Sequence, residues 1–565
     1  MKRSFHLTLQ MVVLFAGLLL AAGGLSAQNK SSHDKAVEYA LSKAYGASVR
    51  IWGIDSVNHQ QNSAQFSGVV VTNDGYILTA AHAILPGNIY LVNFPNGGKV
   101  KARALGRMAI GSLRGRPDVG MLKIIEKGNY SHTDMGDSDR VKINDLCISV
   151  AYPTTLSKEF PTVRVGVVTK PVDRWGFMVS TCKMEPGDSG GGLFDSEGNV
   201  IAIHSRIDVR EDINYECPVN LFKAHWTSLS KEIDYLEIPP QRDSILRSLS
   251  GADLFNVDDR QDLSISNSVV LEIKSLIQNK TVVILGTHIL PSQGFFNKEK
   301  YSWVVSKGSM IGDSVVIKDI AGTEFRAEVY ARNDSIDLVL LRMPKIQQNA
   351  IDLNILSDEI TQRISDLGIT LISDIRSRKE ISALSAKVFY QEKANIGGYF
   401  GAMARFIDEK VTISSFSPDS PAKLAGLMVG DQISMINGAM LTQPEHYGRE
   451  LRKYSSGDTT IITGYRQGSA FELSVLLTEI PFQGNHPAYH FEGGRSNRFD
   501  GFQKVFPHDG KIKSNQTGSP VFVEDGTFVG LNIARFSRTC TLAIPADVIL
   551  NFIAATESIY STLRY

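Results

Sequence analysis

At 565 residues the chain is longer than one hydrophobic core organises, and about 100–200 residues per domain implies several units. Lys+Arg and Asp+Glu both number 59, so no net field draws the chain to nucleic acid or an anionic surface. Four cysteines exclude a fold built from disulfides; Cys182 and Cys217 either pair or are two small apolar core residues, and the sequence leaves both open.

The chain begins with Lys2 and Arg3, an apolar run "MVVLFAGLLLAAGG", and "LSA" before Gln28, the order of a secretory signal over residues 1–27. Cleavage after Ala27 is expected, and it leaves no stretch long enough to span a bilayer. Residues 28–46 contain one brief helical stretch, "KAVEYALSKAYG". From 47 to 220 come short β-branched runs cut by turn residues, such as "SGVVVTNDGYILT", "DLCISVAY", "TVRVGVVT" and "NVIAIHS", which predict an all-β sandwich or a pair of barrels. A helix is predicted over "LFKAHWTSLSKEIDYL", and "EIPPQRDS" breaks it. This unit spans 28–235 and a linker 236–262.

The second half repeats the first in order. "PDVGMLKI" at 117–124 returns as "SIDLVLLRM" at 335–343, and "GGGLFDSEGNVIAIHSR" at 190–206 as "GSPVFVEDGTFVGLNIAR" at 518–535. Chance similarity rarely preserves order and spacing together, so a duplication is predicted. Residues 397–480 do not fit the repeat, and they split the second copy into 263–396 and 485–555.

An isolated serine hydroxyl is a poor nucleophile near neutral pH and needs a base and an orienting acid. "YILTAAHAI" ends a predicted strand at His82, "RPDVGMLKI" places Asp118 before another, and "MEPGDSGGGLF" sets Ser189 among glycines. The chain order His, Asp, Ser is one of three known for a hydrolytic triad. With these signatures, residues 47–220 resemble a trypsin-like serine protease of the HtrA (Deg) type. "SPAKLAGLMVGDQISMINGAML" in the inserted block resembles a PDZ domain. The resemblance implies a mainly β chain: a trypsin-like double β-barrel, then a second, degenerate double barrel carrying a PDZ-like α+β insert.

It also implies roles. Ser189 is the nucleophile, His82 the base and Asp118 the orienting acid, while the Gly187 and Ser189 N–H groups form an oxyanion hole and Asp188 anchors the loop. Lys183, six residues before Ser189, falls where trypsin-like enzymes have the floor of the pocket for the residue before the cut, favouring an acidic side chain unless it faces solvent. His204, on the strand expected to line the cleft, either touches substrate or is an ordinary strand histidine. Gly398, Tyr399, Phe400 and Gly401 fall where PDZ domains hold a peptide's terminal carboxylate. In the second copy Ser309 stands at the place of His82 and Thr517 at that of Ser189; Asp337 alone survives, and His288 falls too early to serve. That copy is expected to be inert.

No HExxH, CxxC or phosphate-loop motif occurs, so no metal and no cofactor are implied. The leading reading is an exported, periplasmic or secreted serine endopeptidase acting on unfolded proteins or exposed C-termini, with homo-oligomers possible. The competing one is an envelope scaffold or peptide-binding protein with a latent protease unit.

Overall fold

The computed structural model describes residues 30–55, 60–109, 117–156, 159–244, 255, 268–277, 280–291, 300–353, 363–376, 378–393, 398–478 and 487–562. The expected signal at 1–27 lies outside them, as does most of the expected linker.

Helix α1 (Ser32–Ala47) starts at Ser31, whose hydroxyl accepts from the Asp34 N–H at 3.1 Å. Its buried Val37, Ala40, Leu41 and Ala44 recur at helical spacing and form one apolar stripe. Six strands follow: β1 (Ser48–Gly53), β2 (Phe66–Val70), β3 (Tyr76–Thr79), β4 (Ile89–Asn93), β5 (Lys99–Ala109) and β6 (Asp118–Ile124). They close into a barrel in the order β1-β2-β3-β6-β5-β4. A second barrel, β10-β11-β12-β9-β8-β7, is made from β7 (Leu146–Ala151), β8 (Thr162–Lys170), β9 (Met178–Ser180), β10 (Gly192–Phe194), β11 (Val200–Ile207) and β12 (Asn214–Pro218). Closure leaves no open edges, and the β-branched inward faces fill each interior.

The second half uses the same plan. β13 (Val270–Ile277), β14 (Lys280–Leu290), β15 (Tyr301–Lys307), β16 (Val315–Lys318), β17 (Glu324–Asn333) and β18 (Leu338–Pro344) pair as β13-β16-β17-β18-β15-β14, and β13 also pairs β14. That is the ring of β1–β6 repeated strand for strand; β19 (Ile351–Asp352) adds to its rim. The last sheet runs β21-β20-β30-β31-β32-β29-β22, from β20 (Thr370–Asp374), β21 (Lys379–Ala383), β22 (Phe389–Gln391), β29 (Phe502–His508), β30 (Pro520–Val523), β31 (Phe528–Arg535) and β32 (Thr541–Pro545). A bridge between Leu384, just after β21, and His508 of β29 brings β21 back onto the far side of the sheet. Between β22 and β29 stands the insert, a sheet in the order β23-β24-β25-β27-β28 with β26 on β25: β23 (Ala402–Ile407), β24 (Lys410–Phe416), β25 (Gln432–Ile436), β26 (Ala439–Met440), β27 (Thr459–Arg466) and β28 (Ser469–Leu476). It has its own core around Ile413, Ile433 and Ile462.

One local expectation is corrected, and of two readings left open for the cysteines the apolar one holds. The helix predicted from Leu221 to Leu236 breaks at His225 (φ −125°) into Val219–Ala224 and Trp226–Leu229. Beyond it Asp234 pairs with Arg107 at 2.6 Å, drawing the chain onto β5. Cys182 does not pair with Cys217. All four cysteines are free; the Cys182 sulfur lies 3.8 Å from that of Cys147, and Cys217 donates to the Asp118 carbonyl.

Candidate active site

The two closed barrels of the first unit meet at a cleft of about 500 Å³ whose walls include His82, Met184, Pro186, Ser189, Ile207 and Pro487. His82 emerges from a 3-10 turn, Ala81–Ala83, directly after β3. The turn fits because Gly120 of β6 faces it: a Cβ there would sit 3.2 Å from the Ala81 Cα and 2.8 Å from Ile84. The His82 N–H donates to Asp118 Oδ1 at 2.9 Å, locking the turn to the start of β6. Its Nδ1 lies 2.8 Å from Asp118 Oδ2, and its Nε2 3.0 Å from the Ser189 hydroxyl. A carboxylate only accepts, so Nδ1 carries the proton and Nε2 is left to accept from Ser189.

Asp118 is almost covered while half of the His82 side chain is open to the cleft. Ser205 on β11, which sequence reasoning missed, donates to Asp118 Oδ2 at 2.7 Å. Burial alone lowers the His82 pKa, but the hydrogen bond and charge of Asp118 outweigh it and lift the imidazole above its ordinary value. For Asp118 burial acts upward, and the bonds from His82 and Ser205 hold the carboxyl below the usual carboxylate range. A hydroxyl beside a neutral imidazole that a carboxylate orients is an arrangement able to remove the hydroxyl proton as an attack develops.

The loop before Ser189 is pinned from below. Asp188 is fully buried and takes two bonds from Arg164 of β8, at 2.8 and 3.3 Å. Burial pushes its carboxyl up to about 6 against the pull of Arg164. The signal for this pair was an arginine inside the apolar run "TVRVGVVT". Gly187 has φ +101°, and a Cβ on it would stand 2.5 Å from the Tyr152 carbonyl, so only glycine fits. Among the described residues, neither the Gly187 nor the Ser189 N–H is given to any acceptor.

Two expected pocket residues do not reach the cleft. Lys183 is turned the other way and buried, its ammonium donating to the Asp509 carbonyl of the second unit. Burial pulls its pKa down to about 8. His204 is fully buried within β11, where Ser149 Oγ lies 2.7 Å from Nε2, and burial lowers its pKa to about 3. β11 bulges between His204 and Arg206, and Ser205, the residue at the bulge, is the one that faces the acid.

The expected carboxylate loop is also only partly free. The Gly398 and Tyr399 N–H groups donate to Tyr454 O and Thr478 O at 2.7 Å each, and the Phe400 ring lies in the core of the insert. Gly401 (φ +74°) packs onto Ser420. Tyr447, on the helix Pro444–Leu451, donates to Ala402 O of edge strand β23 at 2.8 Å.

In the second unit the same backbone carries different side chains. The Ser309 N–H donates to Asp337 Oδ1 at 2.6 Å and its hydroxyl to Oδ2 at 3.0 Å. Lys307 also reaches Asp337 at 3.0 Å, fully buried. Thr517 is buried and gives its hydroxyl to Ser514 O at 2.8 Å. His288 instead lies 2.9 Å from Asn349 O.

Fold and site thus define a trypsin-like double barrel followed by a degenerate copy that carries a PDZ-like insert. Residues 66–203 match the trypsin-like peptidase domain family and residues 412–463 the PDZ domain family. Over 158 residues the chain is 30% identical to a probable periplasmic serine endoprotease DegP-like of Brucella suis, covering 26% of this chain and 29% of the relative. A protein of the same description from Bartonella henselae is 29% identical over 147 residues, 25% of this chain and 27% of the relative. The chain therefore spans under a third of the curated relatives' length. A crystal structure of the serine endoprotease from Yersinia pestis aligns over 80% of this chain and all of its own, at 16% identity and a TM-score of 0.30.

Proposed function

We propose that the chain is an exported serine endopeptidase that cleaves polypeptides at the His82–Asp118–Ser189 site. One observation carries this: the imidazole bridges a buried carboxylate at 2.8 Å and an accessible hydroxyl at 3.0 Å, in an open cleft. The Ser189 hydroxyl attacks the scissile carbonyl while His82 Nε2 takes its proton and later returns it to the leaving amine. Asp118, steadied by Ser205, holds the tautomer and stabilises the imidazolium. The Gly187 and Ser189 N–H groups bind the developing oxyanion, each worth about 3 kcal/mol of transition-state stabilisation. Unfolded chains are the substrates an open cleft admits, and export to the periplasm agrees with the names of the relatives.

Peptide binding by the insert falls to β23, an edge strand with one free side, together with the Phe400 and Gly401 amides. The test is labelling of residues 28–565 with a fluorophosphonate probe beside Ser189→Ala, with peptide mapping. An adduct on Ser189 alone is expected. No adduct, even with unfolded protein present, would overturn the proposal in favour of a latent scaffold.

A further inference from the structure

Beyond Ser189, the walls of the cleft are held from the second unit. One wall is the loop from Lys183 to Asp188. Lys183, at its start, donates to the Asp509 carbonyl, and the Asp509 carboxylate accepts from the Val165 N–H on β8 at 3.0 Å and from Ala383 N–H at 2.7 Å. Val165 follows Arg164, which anchors Asp188. The other wall is the end of β11, with Ser205, Arg206 and Ile207, and the hairpin that returns it to β12. On that hairpin Val209 is 66% exposed and the Arg210–Asp212 pair is open to solvent, so apolar packing does not hold it.

The second unit grips the hairpin instead. Arg535 reaches Glu211 at 2.8 Å with both side chains buried, the Glu492 N–H donates to the other Glu211 oxygen at 2.8 Å, and Arg538 donates to Arg210 O at 2.8 Å. Pro487, in the same contact, lines the cleft itself and accepts from Arg538 through its carbonyl.

The register identifies what the second unit uses for this. Ile207 pairs with Asn214 across β11 and β12, and Arg535 with Thr541 across β31 and β32, each at the same place in its bulged hairpin. Arg535 is thus the counterpart of Ile207: the inert unit presents the wall of its own would-be cleft to the wall of the working one. Its missing chemistry and its docking face coincide.

We propose that the second unit is a built-in clamp that sets the geometry of the first unit's cleft, with Arg535 and Lys183 as positioning residues. This rests on Ser189 being the nucleophile. Catalytic geometry tolerates little play, and a misplacement of about 1 Å costs on the order of a hundredfold. The experiment uses the full chain after residue 27, measuring fluorophosphonate labelling and steady-state hydrolysis of an unfolded protein for the wild type, Arg535→Met, Arg535→Lys, Glu211→Gln and Lys183→Met, with melting temperature alongside.

Arg535→Met and Lys183→Met are expected to lower kcat roughly ten- to a hundredfold with a smaller change in KM, and to leave the acid limb of the pH profile in place. Glu211→Gln, altered on the first unit's side of the contact, should give the same loss. Arg535→Lys should recover most of the rate. Wild-type rates in Arg535→Met and Glu211→Gln would overturn the clamp while leaving the protease reading standing. Losses that only follow melting temperature, with lysine no better than methionine at 535, would also overturn it. An unreactive wild-type chain would remove both.

Discussion

The two double barrels make the same turn around the same carboxylate and part company only in what that carboxylate is given to hold. The His82 N–H donates to Asp118, and the Ser309 N–H donates to Asp337. Leu285 N–H reaches Thr517 O as Ser67 N–H reaches Ser189 O, and Gly518 N–H reaches Asn532 O as Gly190 N–H reaches His204 O. In the first unit the acid receives an imidazole and a serine hydroxyl. In the second it receives a buried ammonium from Lys307 and the short Ser309 hydroxyl, neither of which extends to Thr517 as a base. The shared backbone is therefore not enough to make the proposed site; only the first unit offers a base that reaches the hydroxyl.

The sharpest way to break this comparison is Ser189→Ala. It should lower peptide hydrolysis by about 10⁴-fold or more, while Thr517→Ala changes nothing in the same assay. Asp118→Asn comes next, at about 10⁴-fold in kcat with the fold intact. The matching Asp337→Asn should leave labelling unchanged but cost about 3 kcal/mol of stability in denaturant unfolding, because it leaves the buried Lys307 ammonium with the Arg498 and Ile533 carbonyls but no charge to balance it. Gly187→Ala forces a side chain against the Tyr152 carbonyl at a positive φ, so it should lower the melting temperature as well as kcat, and a loss of about 10²–10³-fold in kcat larger than that of equally destabilised variants would identify the oxyanion loop.

pH separates the units more gently. His82 must be neutral to act, and its pKa is raised, so kcat/KM should fall as pH drops through a value above 6.5. A limb below 6.5 would mean that Asp118 does not face the ring. A second pH effect concerns His204, whose counterpart is Asn532. With its pKa held down to about 3, the folded chain refuses a proton that the unfolded chain accepts below 6.5. Stability is then lost as pH falls between these values, by about 1.4 kcal/mol per unit, and His204→Asn should flatten that slope in unfolding titrations.

Much of this was legible residue by residue. Glycines with one permitted geometry, small residues beside His82 and an aspartate at a strand start leave few alternatives, and the duplication could be aligned because Gly190 and Gly518 serve the same close approach. Local sequence determined the strand plan, the insert's place and the candidate set of His82, Asp118 and Ser189, since each depends on alternation, turn chemistry or reach along the chain. Orientation and partnership across units were different. That Lys183 turns away from the cleft, that Ser205 rather than His204 faces the acid, that Cys182 lies against Cys147 and that Arg535 meets Glu211 were decided by packing between segments far apart in the chain. A side chain's identity states what it can bond, but only the burial around it decides which bond it must make.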